Sequence, residues 1–442
     1  MKQTRLLTFL ISILFVNGFS QDGFQFTNNK QKIVIPFKSI NNLIFIPINV
    51  NGVELNFLLD TGVKETILFS LDDKQEISFE NVQKIKLKGF GNDEFVEGLK
   101  SSNNTLTIKN FRDTNHIVYI VLDQNFNLSS QVGIPVNGII GYNFFINYMV
   151  ETDYQKNRII IYKNDLKIRK KLSEKFISQS IKIQNSKPVI ETKLTLDDDL
   201  INTNLLIDSG NSDAFWLFQN LKNNFKVPSK NIIDYLGHGF SGAIFGKRAK
   251  IKKVAFNEFQ FNNPIVSFPD TLDVKKSSIS EGREGSIGAE ILKRFDVVYD
   301  YLGEKIYFKK NANFNLPFNF NKSGIEIQQD GLQWVKGTEE IRNTLAGGIN
   351  FDINSDKITN FRYKFDLKPI FKIASIRKNS PAEAIGLKKD DIIIEINKEE
   401  VYRYSLQEIN ELLKSDERTS IYIIVERNNK QLKFKFQLKD AL

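Results

Sequence analysis

Along most of the chain the apolar positions fall in short alternating or β-branched runs, punctuated by Asn, Gly, Asp and Pro. Ile33-Val34-Ile35-Pro36-Phe37, Leu43-Ile44-Phe45-Ile46-Pro47-Ile48, Lys84-Ile85-Lys86-Leu87 and Leu106-Thr107-Ile108-Lys109 have the length and the period of strands. The same texture returns at Ser180 to Ile183, Val189 to Leu196 and Ala249 to Val254. Helical stretches are few and short. The pattern predicts a mainly β protein whose first two thirds form two all-β lobes, over 21–165 and 166–311.

The lobes are copies of one another. Phe57-Leu58-Leu59-Asp60-Thr61-Gly62 has its partner in Leu205-Leu206-Ile207-Asp208-Ser209-Gly210. Either triplet alone is also what an Asx turn after a strand looks like; the register downstream sets this pair apart. Twenty-nine residues after each Asp stand Gly89-Phe90-Gly91 and Gly237-His238-Gly239, and thirty-eight after come Gly98 and Gly246. Fifty-five after come Asn115-His116-Ile117-Val118 and Asn263-Pro264-Ile265-Val266. Near eighty come Gly138-Ile139-Ile140-Gly141 and Gly285-Ser286-Ile287-Gly288, then Thr152-Asp153-Tyr154 and Tyr299-Asp300-Tyr301 near ninety-two. Five spacings in order identify a duplicated unit of about 125 residues.

The last third changes in tone. Ile370 to Ile376 alternates, Ser380-Pro381-Ala382 and Ala384-Ile385-Gly386-Leu387 follow, and then Asp391-Ile392-Ile393-Ile394-Glu395-Ile396-Asn397. Ser405-Leu406-Gln407-Glu408 is a capping box that opens a helix with Leu406, Ile409 and Leu413 on one face. Ile421 to Val425 and Leu432 to Phe436 supply two closing strands.

Composition removes much of the catalytic repertoire. Of 442 residues none is Cys and two are His. That excludes disulfides, thiol nucleophiles, Cys/His zinc sites and the two-His metallohydrolase helix. A Ser–His–Asp triad would have to use His116 or His238, so the chemistry narrows to carboxylates, hydroxyls or lysines. No cofactor and no metal is expected. The net charge of +9 is spread along the chain, without the stripe or stacking motif of a nucleic-acid binder.

Lys2 and Arg5 precede the apolar run Leu6 to Val16, then Asn17-Gly18-Phe19-Ser20. This is the layout of a secretory signal peptide over 1–20. The run is short of the ~20 residues that a spanning helix needs. We therefore expect an exported protein, periplasmic or extracellular, with no integral membrane segment after removal of the signal.

Two lobes, each with an apolar-apolar-Asp-Thr/Ser-Gly motif, a glycine-bounded hairpin and a later apolar-apolar-Gly segment, resemble the pepsin/retropepsin-like aspartyl proteases. The nearest pattern is the bacterial two-lobed subgroup that ends in a PDZ domain. The resemblance implies two pseudo-symmetric acid-protease-like β-barrel lobes followed by a PDZ-like β/α domain over 312–442. It implies that Asp60 and Asp208 form a catalytic dyad. It further implies that Thr61, Gly62, Ser209 and Gly210 support the active loops, and that the hairpins at Gly89-Phe90-Gly91 and Gly237-His238-Gly239 lie where a flap covers substrate. Val63-Lys64 stands where the family usually has a small residue, and neither hairpin carries the Tyr of many pepsin flaps.

In the PDZ-like part the resemblance places the peptide-carboxylate loop at Ser323-Gly324-Ile325-Glu326-Ile327, where Glu326 would oppose a terminal carboxylate. An insertion near 330–368 separates this loop from the Ile370 strand. Inside it, Asp352 to Asp356 hints at a calcium loop, but Lys357 replaces its Gly and Tyr363 its bidentate Glu, so that reading fails.

The expected function is aspartic endopeptidase: two close carboxylates share one proton and activate a water. Polypeptides are the expected substrates, peptide or protein C-termini are the expected ligands of the PDZ-like domain, and the chain acts as a monomer. The alternative is a catalytically weak peptide-binding scaffold that works through the same cleft and the PDZ domain.

Overall fold

The computed structural model describes residues 23–71, 76–87, 96–122, 127–219, 225–239, 242–270, 282–340 and 361–442. The expected signal peptide and the hairpin tip Gly89-Phe90-Gly91 lie outside the described residues.

The architecture is mainly β. Among the described residues no helix is longer than eight residues, and none is long and apolar enough to cross a membrane. Many of the tight hairpins are built by Asn. Asn51 (φ 49°) and Gly52 (φ 100°) join Leu43–Val50 to Val53–Leu59, and Asn185-Ser186 joins Lys182–Gln184 to Lys187–Leu196. Both residues of such a two-residue turn need positive φ, which Asn and Gly adopt at least strain.

The duplication read from the sequence is a duplication of sheets. In the first lobe Val53–Leu59 pairs in parallel with Gly138–Ile140; in the second Asp199–Asp208 pairs in parallel with Gly285–Gly288. In the first lobe Val96–Ile108 pairs with both Leu43–Val50 and Phe111–Val121, which closes the strand path into a ring. In the second lobe the path stays open among the described residues, so the expected pair of barrels is a closed one and an open one. A six-stranded sheet joins the lobes: Met149–Asp153 of the first pairs with Phe295–Asp300 of the second, Val150 opposite Tyr299. One apolar core runs through both lobes, from Ile46 and Phe57 to Phe215 and Phe308.

The C-terminal part has its own core, in which Ile325, Phe371, Ile393, Ile409 and Val425 are buried. The helix Leu406–Leu413 starts with the expected capping box and buries Leu406, Ile409 and Leu413. The described parts of the expected insertion, 330–340 and 361–368, are strand and not loop; its middle, with the rejected calcium-loop segment Asp352 to Asp356, lies outside the described residues. Ile325–Glu340 and Phe361–Ile376 form one long antiparallel hairpin, in register from Ile325 opposite Ile376 out to Glu340 opposite Phe361. Its outer half leaves Leu332, Trp334, Phe365 and Leu367 exposed.

Candidate active site

Each acidic triplet sits at the end of a strand whose apolar residues anchor it in the lobe core. Leu59 and Ile207 are 1% and 0% exposed, and the next residue in each case is the aspartate. The Asp60 N–H donates to the Ile140 carbonyl at 2.9 Å, and the Tyr142 N–H to the Val63 carbonyl at 3.1 Å. The later apolar-Gly segment therefore straps the loop from below. A β-carbon on Gly141 would lie 1.9 Å from the Val63 carbonyl oxygen, so that crossing requires glycine.

The two triplets are locked to each other. The Thr61 hydroxyl donates to the Ile207 carbonyl at 2.7 Å and accepts from the Ser209 N–H at 3.0 Å. In return the Ser209 hydroxyl donates to the Leu59 carbonyl at 2.9 Å and accepts from the Thr61 N–H at 3.0 Å. Four bonds, two from each lobe, exchange hydroxyls across the pseudo-two-fold. Both residues are buried, so water does not replace these bonds.

This lock turns the carboxyl groups toward one another. A β-carbon on Gly210 would sit 2.2 Å from the Asp60 Cγ, and one on Gly62 would sit 2.8 Å from the Asp208 Oδ1. Each carboxyl thus rests against the glycine of the opposite triplet. The Gly62 N–H donates to Asp60 Oδ1 at 2.7 Å. Burial, and then the nearby Asp208 charge, push the Asp60 carboxyl up to about 7, against the pull of the Gly62 amide, Lys187 and the Gly210 amide. Burial raises Asp208 as well, opposed first by Arg283 and then by Lys187, the Gly210 amide and the Ser286 hydroxyl. Such a pair holds one proton over a wide pH range and titrates as a unit.

Three of these neighbours escaped the reading of the sequence: Lys187, Arg283 and Ser286. Arg283 Nη2 lies 3.7 Å from Asp208 Oδ2. A signal was present, because Arg283 stands two residues before Gly285, where the first lobe has Val136 two before Gly138. A residue that breaks the repeat next to its most similar segment is a candidate for site chemistry.

The two histidines take other work. His116 Nδ1 is 2.6 Å from Asp113 Oδ2 and its Nε2 is 2.6 Å from the Thr66 hydroxyl, the outline of a nucleophile triad. All three side chains belong to residues 1–4% exposed, which makes the chain a buried structural network. His238 lies on the second-lobe hairpin Ile232–Gly239, with Nδ1 2.8 Å from the Gly239 carbonyl. Tyr235, Leu236, Gly237 and His238 line a cavity of about 660 Å³ shared with Leu43 and Val132 of the first lobe and Glu326, Ile327 and Lys414 of the C-terminal domain. Neither Asp60 nor Asp208 lines it.

On the C-terminal side of that cavity the expected carboxylate loop is already satisfied within the chain. The Asn321 Oδ1 accepts from the Ser323 N–H at 3.0 Å and the Gly324 N–H at 3.2 Å, and the Ile325 N–H donates to the Ser323 hydroxyl at 3.0 Å. The Ser130 hydroxyl of the first lobe donates to the Gln329 carbonyl farther along the same strand. Glu326 is pushed up to about 7 by burial and then by Asp234, against Arg248, Arg377 and Lys414. Those charges bridge the domains: Arg377 reaches Asp234 at 3.5 Å, and Arg248 holds Asp234 at 3.1 Å and Asp213 at 2.6 Å.

Comparison with known proteins agrees with the resemblance read from the motifs. Residues 46–144, which include Asp60, match the family model described as aspartyl protease, and residues 372–427 match the PDZ domain. Among solved structures the chain is similar to the aspartic proteinase from Irpex lacteus, at 13% identity and a TM-score of 0.44, over 64% of this chain and 99% of that one. The curated proteins return no match. The chain is thus mainly β, with a protease-like region followed by a PDZ domain.

Proposed function

We propose that the protein is an exported aspartic endopeptidase that hydrolyses peptide bonds with Asp60 and Asp208, acting as a monomer after loss of residues 1–20. The observation that carries this reading is the reciprocal lock of Thr61 and Ser209, which faces the buried Asp60 carboxyl and the partly buried Asp208 carboxyl toward each other. One carboxyl, ionised, accepts a proton from a water between them; the other, protonated, donates a hydrogen bond to the scissile carbonyl. The water oxygen bonds to the carbonyl carbon, and the resulting diol collapses with a proton passed to the leaving nitrogen. No group outside the chain is required for these transfers.

The PDZ domain is proposed to hold polypeptide segments near the cleft by strand addition to its edge. The test is incubation of the mature chain with an unfolded protein and a peptide library from acid to neutral pH, with and without a pepstatin-type inhibitor. Inhibitor-sensitive cleavage that vanishes in both Asp60→Asn and Asp208→Asn supports the reading; undiminished cleavage in either variant overturns it. The scaffold alternative is favoured by the two cations beside the dyad, Lys187 and Arg283. It predicts inhibitor binding without hydrolysis at any pH.

A further inference from the structure

The two lobes repeat each other around the dyad, and they differ there in one consistent direction. Phe45 lies opposite Leu58 and Val189 opposite Leu206, each two residues before its aspartate, so Leu43 and Lys187 are equivalent positions. The parallel strands pair Ile139 with Leu58 and Ser286 with Leu206, which makes Ile139 and Ser286 equivalent, and Val136 and Arg283 by the same count. In the first lobe Leu43, Val136 and Ile139 are buried together in one apolar cluster. In the second lobe the same three places hold an ammonium, a guanidinium and a hydroxyl.

Arg283 is fixed rather than free to swing. It is 5% exposed, its Nε donates to the Gly285 carbonyl at 3.1 Å, its Nη2 donates to the Ser286 hydroxyl at 2.7 Å, and its Cζ lies 5.2 Å from the centre of the Phe218 ring. The Ser286 oxygen, having accepted from Arg283, keeps its own proton to donate to Asp208. Asp208 therefore meets a guanidinium at 3.7 Å and a hydroxyl donor, while the equivalent positions in the lobe of Asp60 are apolar.

We propose that Arg283, acting directly and through Ser286, is the positioning residue that makes Asp208 the ionised base of the dyad and leaves the shared proton on Asp60. This rests on the hydrolase reading above and assigns its two roles. Asp208 takes the proton of the attacking water as the new C–O bond forms, and Asp60 gives its proton to the carbonyl oxygen. In the collapse Asp208 passes its proton to the leaving nitrogen as the C–N bond breaks, and Asp60 recovers one from the diol. A cation beside Asp208 favours its ionised form at the start and makes it the better acid at the end. The other charged and titratable groups facing the pair are Lys187 and Tyr299 at Asp208, Lys187 and Tyr301 at Asp60, and Glu65 at Lys187. Lys187 acts on both carboxyls; Arg283 interacts with Asp208 first and with Asp60 second, and it stands ahead of Lys187 at Asp208, so the bias between the two comes from Arg283.

The test is a titration of the full mature chain labelled with carbon-13 at the aspartate carboxyls, followed by NMR. Asp208 is read alone in Asp60→Asn, and Asp60 alone in Asp208→Asn. Adding Arg283→Gln should raise the Asp208 midpoint by about one unit or more and move Asp60 by clearly less, with Arg283→Lys restoring part of the difference. Equal movement of both carboxyls, or none, overturns the assignment. Should the Gln variant fail to fold, Arg283→Lys and Ser286→Ala carry the same comparison, each with a smaller rise expected at Asp208 than Arg283→Gln would give, and less movement at Asp60 than at Asp208; an unshifted Asp208 in both overturns it. Turnover is not needed for this readout, so a chain that cleaves nothing refutes the hydrolase reading while the titration still decides the proton's place. Where cleavage is seen, the acid limb of kcat/KM should move up in Arg283→Gln.

Discussion

Gly210 and Asp60 are in such close contact that a single added methyl would lie 2.2 Å from both the carboxyl carbon and Oδ2 of the aspartate. They are 150 residues apart in the chain and belong to different lobes. Gly210→Ala should therefore act on Asp60, not on its own lobe. The expected outcome is loss of cleavage with a cost of about 1–3 kcal/mol from overpacking. Hydrolysis assays beside thermal melts check it; a variant with full activity would show that the loops can separate without consequence.

The cross-lobe lock makes a sharper prediction about additivity. Thr61→Val strands the Ser209 N–H and the Ile207 carbonyl, and Ser209→Ala strands the Thr61 N–H and the Leu59 carbonyl. Each buried unpaired group costs about 1–3 kcal/mol. Because both variants break one reciprocal unit, the double variant should lose less than the sum of the singles. Denaturant titration of the four proteins gives the coupling energy, and strict additivity would argue against a shared lock.

The Asp60 carboxyl also ties stability to pH. The Asp60 carboxyl is raised from the ordinary 3.8 to about 7 by burial and then by Asp208. Between those values the folded chain keeps a proton that the unfolded chain has released, so the stability from this group falls as pH rises through the window. Asp60→Asn removes the charge without removing the acceptor that Gly62 uses. The variant should gain stability over the parent at pH 8 and little at pH 4, by a few degrees in Tm. A difference that is flat with pH, or larger in acid, would contradict it.

Much of this was legible in the residues because a duplication writes each constraint twice. Glycine at 62 and 210 and the hydroxyls at 61 and 209 stand out by repetition. The chain geometry that uses them, hydroxyl to the opposite lobe's carbonyl, is a property of the two copies together and of neither alone. What escaped was the difference between the copies. Val136 and Arg283 occupy equivalent places, but an arginine on a strand edge reads as a solvated face until burial shows otherwise. That the ends of the expected insertion are paired strands was hidden for a related reason. Gln329 and Leu332 flank a break in register, and past it the same two strands simply resume their pairing. A bulge interrupts the alternation that identifies a strand while leaving the ladder intact.

The loop at Ser323-Gly324 supplies a prediction with a gain rather than a loss. A terminal carboxylate needs free backbone N–H groups, and at Ser323 and Gly324 these are held by the Asn321 side chain, itself fixed by donating to the Ile325 carbonyl at 2.6 Å. The parent should accordingly bind a peptide with a free C-terminus no better than the same peptide amidated. In Asn321→Ala the two amides lose their acceptor, and a carboxylate supplied in trans can replace it at about the same place. The free C-terminus should then be preferred about tenfold or more, a difference of about 1.4 kcal/mol in the range of one charge-assisted hydrogen bond. Fluorescence anisotropy with the matched peptide pair measures both proteins. A preference already present in the parent, or still missing in the variant, would mean that the Asn321 side chain does not decide what this loop accepts.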